Sequence, residues 1–205
     1  MVQREAGEGA MGRVWVFTWL VCLALWTTRH HFETVDYAEA ETKAALHTLV
    51  LEGKAPDPYQ YKLELITRAL EAARQATGLS LQDVFFLNTL LSSLALLFAH
   101  HVWLRTYVAG RFALVGGFLL VALTSIVFRG HQHHPYELWG LALTCLLLRG
   151  VARDWPLLSL AGLGLLTGTV WEKHALVTAA DGLWRLARRK PFLPTLLRGF
   201  VFLVA

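Results

Sequence analysis

VFFLNTLLSSLALLFAHHVWL, residues 84–104, decides the fold. It carries no Lys, Arg, Asp or Glu, and it is about as long as the roughly 20 residues a helix needs to cross a bilayer. A second apolar block, Tyr107–Phe128, follows after a short basic break. A third, Val14–Trp26, comes early, behind Arg4 and Arg13. A basic start before a short apolar run also opens a signal peptide, but Thr27-Thr28-Arg29-His30-His31 offers no small-x-small cleavage site. The run therefore reads as an uncleaved first span. Pro135–Leu148, Pro156–Trp171 and His174–Leu186 are shorter, and the last contains Asp181. They read as short tilted helices packed against protein, or as partly re-entrant segments.

Composition agrees. Of 205 residues, 55% are hydrophobic and 17% charged, with a mean hydropathy of +0.44. Soluble domains hold about 25% charged residues. The blocks exclude a disordered chain. Cys22 and Cys145 both lie inside apolar runs, so a disulfide framework is excluded as well. The expected fold is all-α and polytopic, with about six to seven spans in one transmembrane domain over residues 1–205. The chain ends inside the apolar run Phe192–Ala205, which reads as part of a longer polytopic protein.

Residues 27–83 form the long polar segment and are expected outside the membrane as a loop with two amphipathic surface helices. Asp36–Glu52 places Ala38, Ala45, Leu46, Leu49 and Val50 at helical spacing, with Gly53 suited to the position after the helix. Tyr59–Thr77 places Leu65, Ile66, Ala69, Leu70 and Ala73 on one face, and Gly78 ends it. Pro56 and Pro58 break the chain between them. Ser80 and Asp83 make a cap-like start for the next helix.

Lys and Arg placement sets the orientation. With the N-terminus in the cytoplasm, Arg4, Arg13, Arg105, Arg111, Arg149, Arg153 and the Arg185–Lys190 cluster all fall inside. The short outer turns then carry only Arg129 and Lys173, and the 27–83 segment is net acidic. The same assignment collects the unusual polar groups on the outer face: His30, His31, Glu33 and Asp36; His131, His133, His134 and Glu137; Glu172, Lys173 and His174. Ionisable residues at membrane depth are costly and point to function.

Asp36 opens the first amphipathic helix. As a lone acid it suits a helix N-terminus electrostatically; as a site residue it is a general base for a hydroxyl, or a ligand for Mg²⁺ or Mn²⁺ at a phosphate. His131, His133 and His134 suit a metal by chemistry, but the second ligand pair that structural zinc sites use is missing nearby. Otherwise this is a solvated loop, with Pro135 and Glu137 at the start of the next helix. Glu172 and Lys173 either pair with each other or line an outward cavity. His100 and His101 have no histidine at matching depth to share a haem. Gly162, Gly164 and Gly168 follow no strand and read as close-packing residues.

The order of these parts resembles the GT-C superfamily of membrane glycosyltransferases, which use polyprenyl-phosphate-linked sugars, and in particular bacterial members of that group. The resemblance rests on Asp36-Tyr37, Gly53, Pro56-Asp57-Pro58 and Tyr59-Gln60-Tyr61-Lys62 in the first loop, then His134-Pro135-Tyr136-Glu137 and Glu172. Three positions depart from the pattern. Lys62 stands where Arg is usual and no Pro follows; Glu137 replaces Asp; Trp171 precedes Glu172 in place of Arg. Lys for Arg keeps the charge but loses bidentate recognition of phosphate.

The resemblance implies Asp36 as the catalytic or metal-binding acid. It places Lys62 and Tyr61 with His134 at the substrate, Lys62 near a lipid phosphate, and Glu137 and Glu172 in the donor or acceptor cavity. The implied partners are a lipid-linked sugar donor and membrane lipid, with no nucleic acid. The implied place is a bacterial inner membrane with the active side outward. Two other readings stay open: a non-catalytic membrane protein of an envelope assembly, and a metal carrier built on the outer histidines.

Overall fold

The computed structural model describes residues 10–34, 37–56, 59–127 and 136–170. Among them are seven helices and no strand: α1 Ala10–Thr34, α2 Tyr37–Leu51, α3 Tyr59–Thr77, α4 Leu81–Leu104, α5 Gly110–Val127, α6 Tyr136–Ala152 and α7 Leu157–Val170. The all-α expectation holds. Among the described residues one helix, α4, is long and apolar enough to cross a membrane, with a mean hydropathy of 1.6 over its most apolar window. Gly110–Thr124 and Leu158–Gly168 are shorter apolar helices. The expected segment His174–Leu186 lies outside the described residues.

Helix ends follow local chemistry. Ser80 caps α4, its Oγ accepting the Asp83 backbone N–H at 3.2 Å, as Ser-x-x-Asp predicts. Gly53 and Gly78 hold φ +69° and +70° just past α2 and α3, conformations that strain an L side chain. After α6 the same left-handed position is taken by Asp154 at φ 54°, while the Trp155 N–H closes back on the Gly150 carbonyl at 2.9 Å.

One boundary differs from the expectation. The first span was placed at Val14–Trp26, with the polar loop starting at Thr27. Instead α1 continues unbroken to Thr34. Thr27 satisfies its hydroxyl by donating to the Leu23 carbonyl at 2.7 Å, and Thr27, Thr28 and His31 are buried rather than solvated. A threonine that bonds back into its own helix carries no exposed polar group, so it extends an apolar helix without desolvation cost.

The helices form one bundle around α4. Leu20, Leu23 and Ala24 of α1 cluster with Leu97 and Val121, while Phe32 meets Phe86 with ring centroids 5.2 Å apart; α1 and α4 are antiparallel. Helix α5 returns beside α4, with Gly116 set against Leu104 and His100. Helices α4 and α6 run parallel: Trp139 reaches Asn88 near both N-termini, and Ala99 and Trp103 join Cys145 and Leu146 further along. Helix α7 folds back on α6 through Leu147, Val151 and Leu160. The α2–α3 hairpin docks on the start of α4, where Leu70 and Ile66 pack on Val84, Phe85 and Phe32. One end of the bundle therefore gathers the C-terminal ends of α1, α5 and α7 with the N-terminal ends of α4 and α6.

Candidate functional site

That end is where the helix ends flanking Asp36, residues 128–135 and Glu172 come together. Asp36, His131, His133, His134 and Glu172 themselves lie outside the described residues. Tyr61 and Lys62 lie in the first turn of α3, their side chains outside the described set. Glu137 is described: it sits in the first turn of α6 with 7% of its surface exposed. Among the described residues no three His, Cys, Asp or Glu side chains gather to hold a metal.

The interior of this end is polar. Thr27, Thr28 and His31 from α1, Asn88, Thr89, Ser92 and Ser93 from α4, Thr124 from α5 and Glu137 from α6 are all buried. Several hydroxyls bond back to their own helices: Ser92 donates to the Thr89 carbonyl and Thr124 to the Val121 carbonyl, each at 3.1 Å. Thr27, Ser93 and Thr124 line a small cleft with Leu96, Leu97, Val121 and Leu138, where α1, α4, α5 and α6 meet.

At this end a side-chain bond joins α6 to α4. The indole Nε1–H of Trp139 donates to Oδ1 of Asn88 at 3.0 Å. An indole N–H can only donate, so the amide oxygen must face it. This fixes the amide with Nδ2 turned away, and Nδ2 is buried without a partner. The Thr28 hydroxyl is fully buried and also lacks one. Sequence reading singled out neither Asn88 nor Trp139. Asn88 stands out only as an amide inside an apolar run, and nothing local points to Trp139.

The hairpin forms a second polar contact beside this end. His47 of α2 is buried, 3.8 Å from a Glu71 carboxylate oxygen on α3 and edge-on to the Phe85 ring of α4 at 5.5 Å. Burial pushes the His47 imidazole below its ordinary value; the Glu71 charge opposes this and Arg74 adds to it. Hydrogen bonds from Arg74, then Gln75, hold the Glu71 carboxyl down at about 2.

The outer surfaces are apolar. Trp15, Phe17, Trp19 and Trp26 of α1 are exposed, as are Phe112, Phe118, Leu119 and Leu123 of α5. No protein-family model, no curated protein and no solved structure matches the chain.

Buried polar groups at this end thus coexist with an apolar core and with large exposed apolar side chains on α1 and α5. This end combines buried hydroxyls, an amide and one carboxyl group near the helix ends.

Proposed function

We propose that the chain belongs to an integral membrane glycosyltransferase that moves a sugar from a polyprenyl phosphate to an acceptor at the outer face of a bacterial inner membrane. The observation that carries this reading is Glu137: a buried carboxyl group in the first turn of α6, at the bundle end that also receives the flanks of Asp36 and Glu172. The exposed apolar faces of α1 and α5 suit lipid, since contiguous patches of this kind are uncommon on soluble monomers. Six to seven crossings and a cytoplasmic N-terminus belong to this proposal, supported by the distribution of Lys and Arg.

The chemistry assigns roles. Asp36 takes the proton of the acceptor hydroxyl, and that oxygen bonds to the anomeric carbon. The anomeric bond to the phosphate oxygen breaks, and polyprenyl phosphate leaves with the electron pair. Lys62 lies near the phosphate, with Tyr61 and His134 beside it. Glu137 and Glu172 hold sugar hydroxyls.

The test uses the full-length protein in membrane vesicles with a panel of radiolabelled polyprenyl-phosphate sugars, each with and without EDTA. Glu137→Gln is expected to raise KM about tenfold or more, the size of one charge-assisted hydrogen bond. Unchanged KM and kcat in that variant would remove Glu137 from the site. Sensitivity to EDTA reads whether Mg²⁺ or Mn²⁺ takes part. A non-catalytic envelope protein would leave the glycans of a deletion strain complete; a transferase predicts the loss of one sugar.

A further inference from the structure

The opposite end of the bundle holds the C-terminal ends of α4 and α6 with the N-terminal ends of α1, α5 and α7. Five arginines stand there among the described residues: Arg13, Arg105, Arg111, Arg149 and Arg153. Asp154 is the one described acid beside them. The stretches that Lys and Arg placement puts on the same side, 1–9 and 185–198, add six basic residues against two acids. The sequence therefore supplies no balancing charge from there.

Two ordinary reasons put arginines at such an end. A cation favours a helix C-terminus, and short inner loops are basic. Neither accounts for how Arg149 is held. It sits in the last turn of α6 and is only partly exposed, with its Nε–H buried and given no acceptor. An arginine serving topology alone would snorkel its head group into water. Arg153 follows four residues on. Its backbone N–H donates to the Arg149 carbonyl at 2.9 Å, so the two residues share one face of the helix end. Like charges at that spacing repel, and among the described residues no acid pairs with either.

The surroundings are apolar. Trp155 packs over Gly150. Leu158, at the start of α7, is 86% exposed, more than any other large apolar side chain described. Trp103 and Tyr107 meet at the same end with ring centroids 6.2 Å apart, and Trp and Tyr gather at headgroup depth. Two guanidinium groups beside an indole and an exposed leucine match a phosphate joined to an acyl chain. A free phosphate has nothing to place on Leu158.

We infer that Arg149 and Arg153 bind the phosphate of an anionic phospholipid whose acyl chain runs over Trp155 and Leu158. Guanidinium forks take phosphate oxygens bidentately, and the positive excess at this end favours a headgroup of net negative charge. The inference rests on the membrane reading of the proposed function and not on its transfer step.

The test places the full-length protein in nanodiscs with equal amounts of phosphatidylglycerol and phosphatidylcholine, and native mass spectrometry counts the lipids it retains. Wild type is expected to retain phosphatidylglycerol about tenfold over phosphatidylcholine, one charge-assisted contact's worth. Arg149→Gln and Arg153→Gln should each lose most of that preference. Arg153 is exposed, so its variant keeps the test open if the Arg149 variants fold poorly. Arg149→Lys keeps the charge without the fork and should lose about fivefold, whereas Arg13→Lys should lose none. Leu158→Ser should shorten retention, and millimolar inorganic phosphate should not displace the lipid.

A folded Arg149→Lys that keeps the full preference, or an Arg13→Lys that loses as much, would show a diffuse basic face and overturn the inference. Equal retention of the two lipids by wild type, or displacement by inorganic phosphate, would overturn it as well. A protein that washes out of membranes contradicts the membrane reading, and the inference falls with it. Absence of sugar transfer with the lipid preference intact would remove the transferase reading and leave this site standing.

Discussion

The two ends of the bundle solve the same packing problem with different atoms. Toward the C-terminal ends of α4 and α6, Leu147, Val151 and Leu160 close a dry contact in which Gly150 leaves room for the Trp155 and Leu160 side chains. Toward their N-terminal ends, the same helices meet through Asn88, Thr89, Ser92, Ser93 and Glu137. Where lipid or apolar contact is the surrounding medium, helix association rests on close packing and interhelical hydrogen bonds rather than on expelling water. The first end relies mainly on close packing, although His100 Nδ1, Trp103 Nε1 and Arg149 Nε are also buried there without a partner. The second places a denser set of hydroxyls, an amide and a carboxyl group between the helices.

That contrast can be broken most sharply at Leu147, which is 0% exposed. Leu147→Ala is expected to lower unfolding stability by about 2–5 kcal/mol, the range for a buried leucine that leaves a cavity. Reversible unfolding in mixed micelles reads this, and a loss below about 1 kcal/mol would show that the α6–α7 contact is not a stability centre.

Gly150 comes next. A Cβ there would stand 2.8 Å from side-chain atoms of both Leu160 and Trp155. Gly150→Val should therefore cost about 1–3 kcal/mol by overpacking while leaving ligand binding at the other end intact. A variant that loses binding but not stability would reverse the assignment of the two ends.

A smaller effect is expected at the hairpin. His47 has its folded value pushed below its ordinary 6.5 by burial, so the unfolded hairpin binds protons that the docked one refuses. Stability is then complete above pH 6.5 and falls as pH drops through 6.5 toward the folded value. Hydrogen exchange in α2 and α3, corrected for intrinsic rates, should show faster opening across that window. His47→Leu should flatten the dependence there. It leaves the lower window set by Glu71, whose contribution is present above its ordinary 4.5 and fades as pH falls toward about 2. Equal pH dependence in the variant would mean that other groups control docking.

The smallest effect belongs to Ser92. Its hydroxyl donates back to the Thr89 carbonyl, which already has its place in the helix, so Ser92→Ala should change stability by less than about 1 kcal/mol. A large loss would show that the polar end is a structural network after all.

The sequence was most legible where local chemistry decides. Ser80, Gly53 and Gly78 announce helix ends, and the Tyr59–Thr77 helix has the boundaries that its periodicity predicts. The end of α1 was misread because Thr27-Thr28-Arg29-His30-His31 is polar by residue type, whereas its threonines are buried and at least Thr27 is satisfied within the helix. Hydropathy scores side chains as if each faced solvent, and so it cannot see a hydroxyl that bonds backwards. The candidate site was legible only as a tendency of ionisable residues to collect on one face. The Asn88–Trp139 bond joins residues 51 positions apart, and no periodicity or spacing encodes such a pair. His47 read as an ordinary member of an amphipathic helix because its partners, Glu71 and Phe85, come from two other elements.

The most direct test of the central claim is transfer itself. The full-length protein in vesicles, given radiolabelled polyprenyl-phosphate sugars, should label an acceptor, and Asp36→Asn should cut the rate by about a hundredfold or more, the usual scale for loss of a general base. Labelling that proceeds equally well in Asp36→Asn, or no labelling from any donor by folded wild-type protein, would contradict the account.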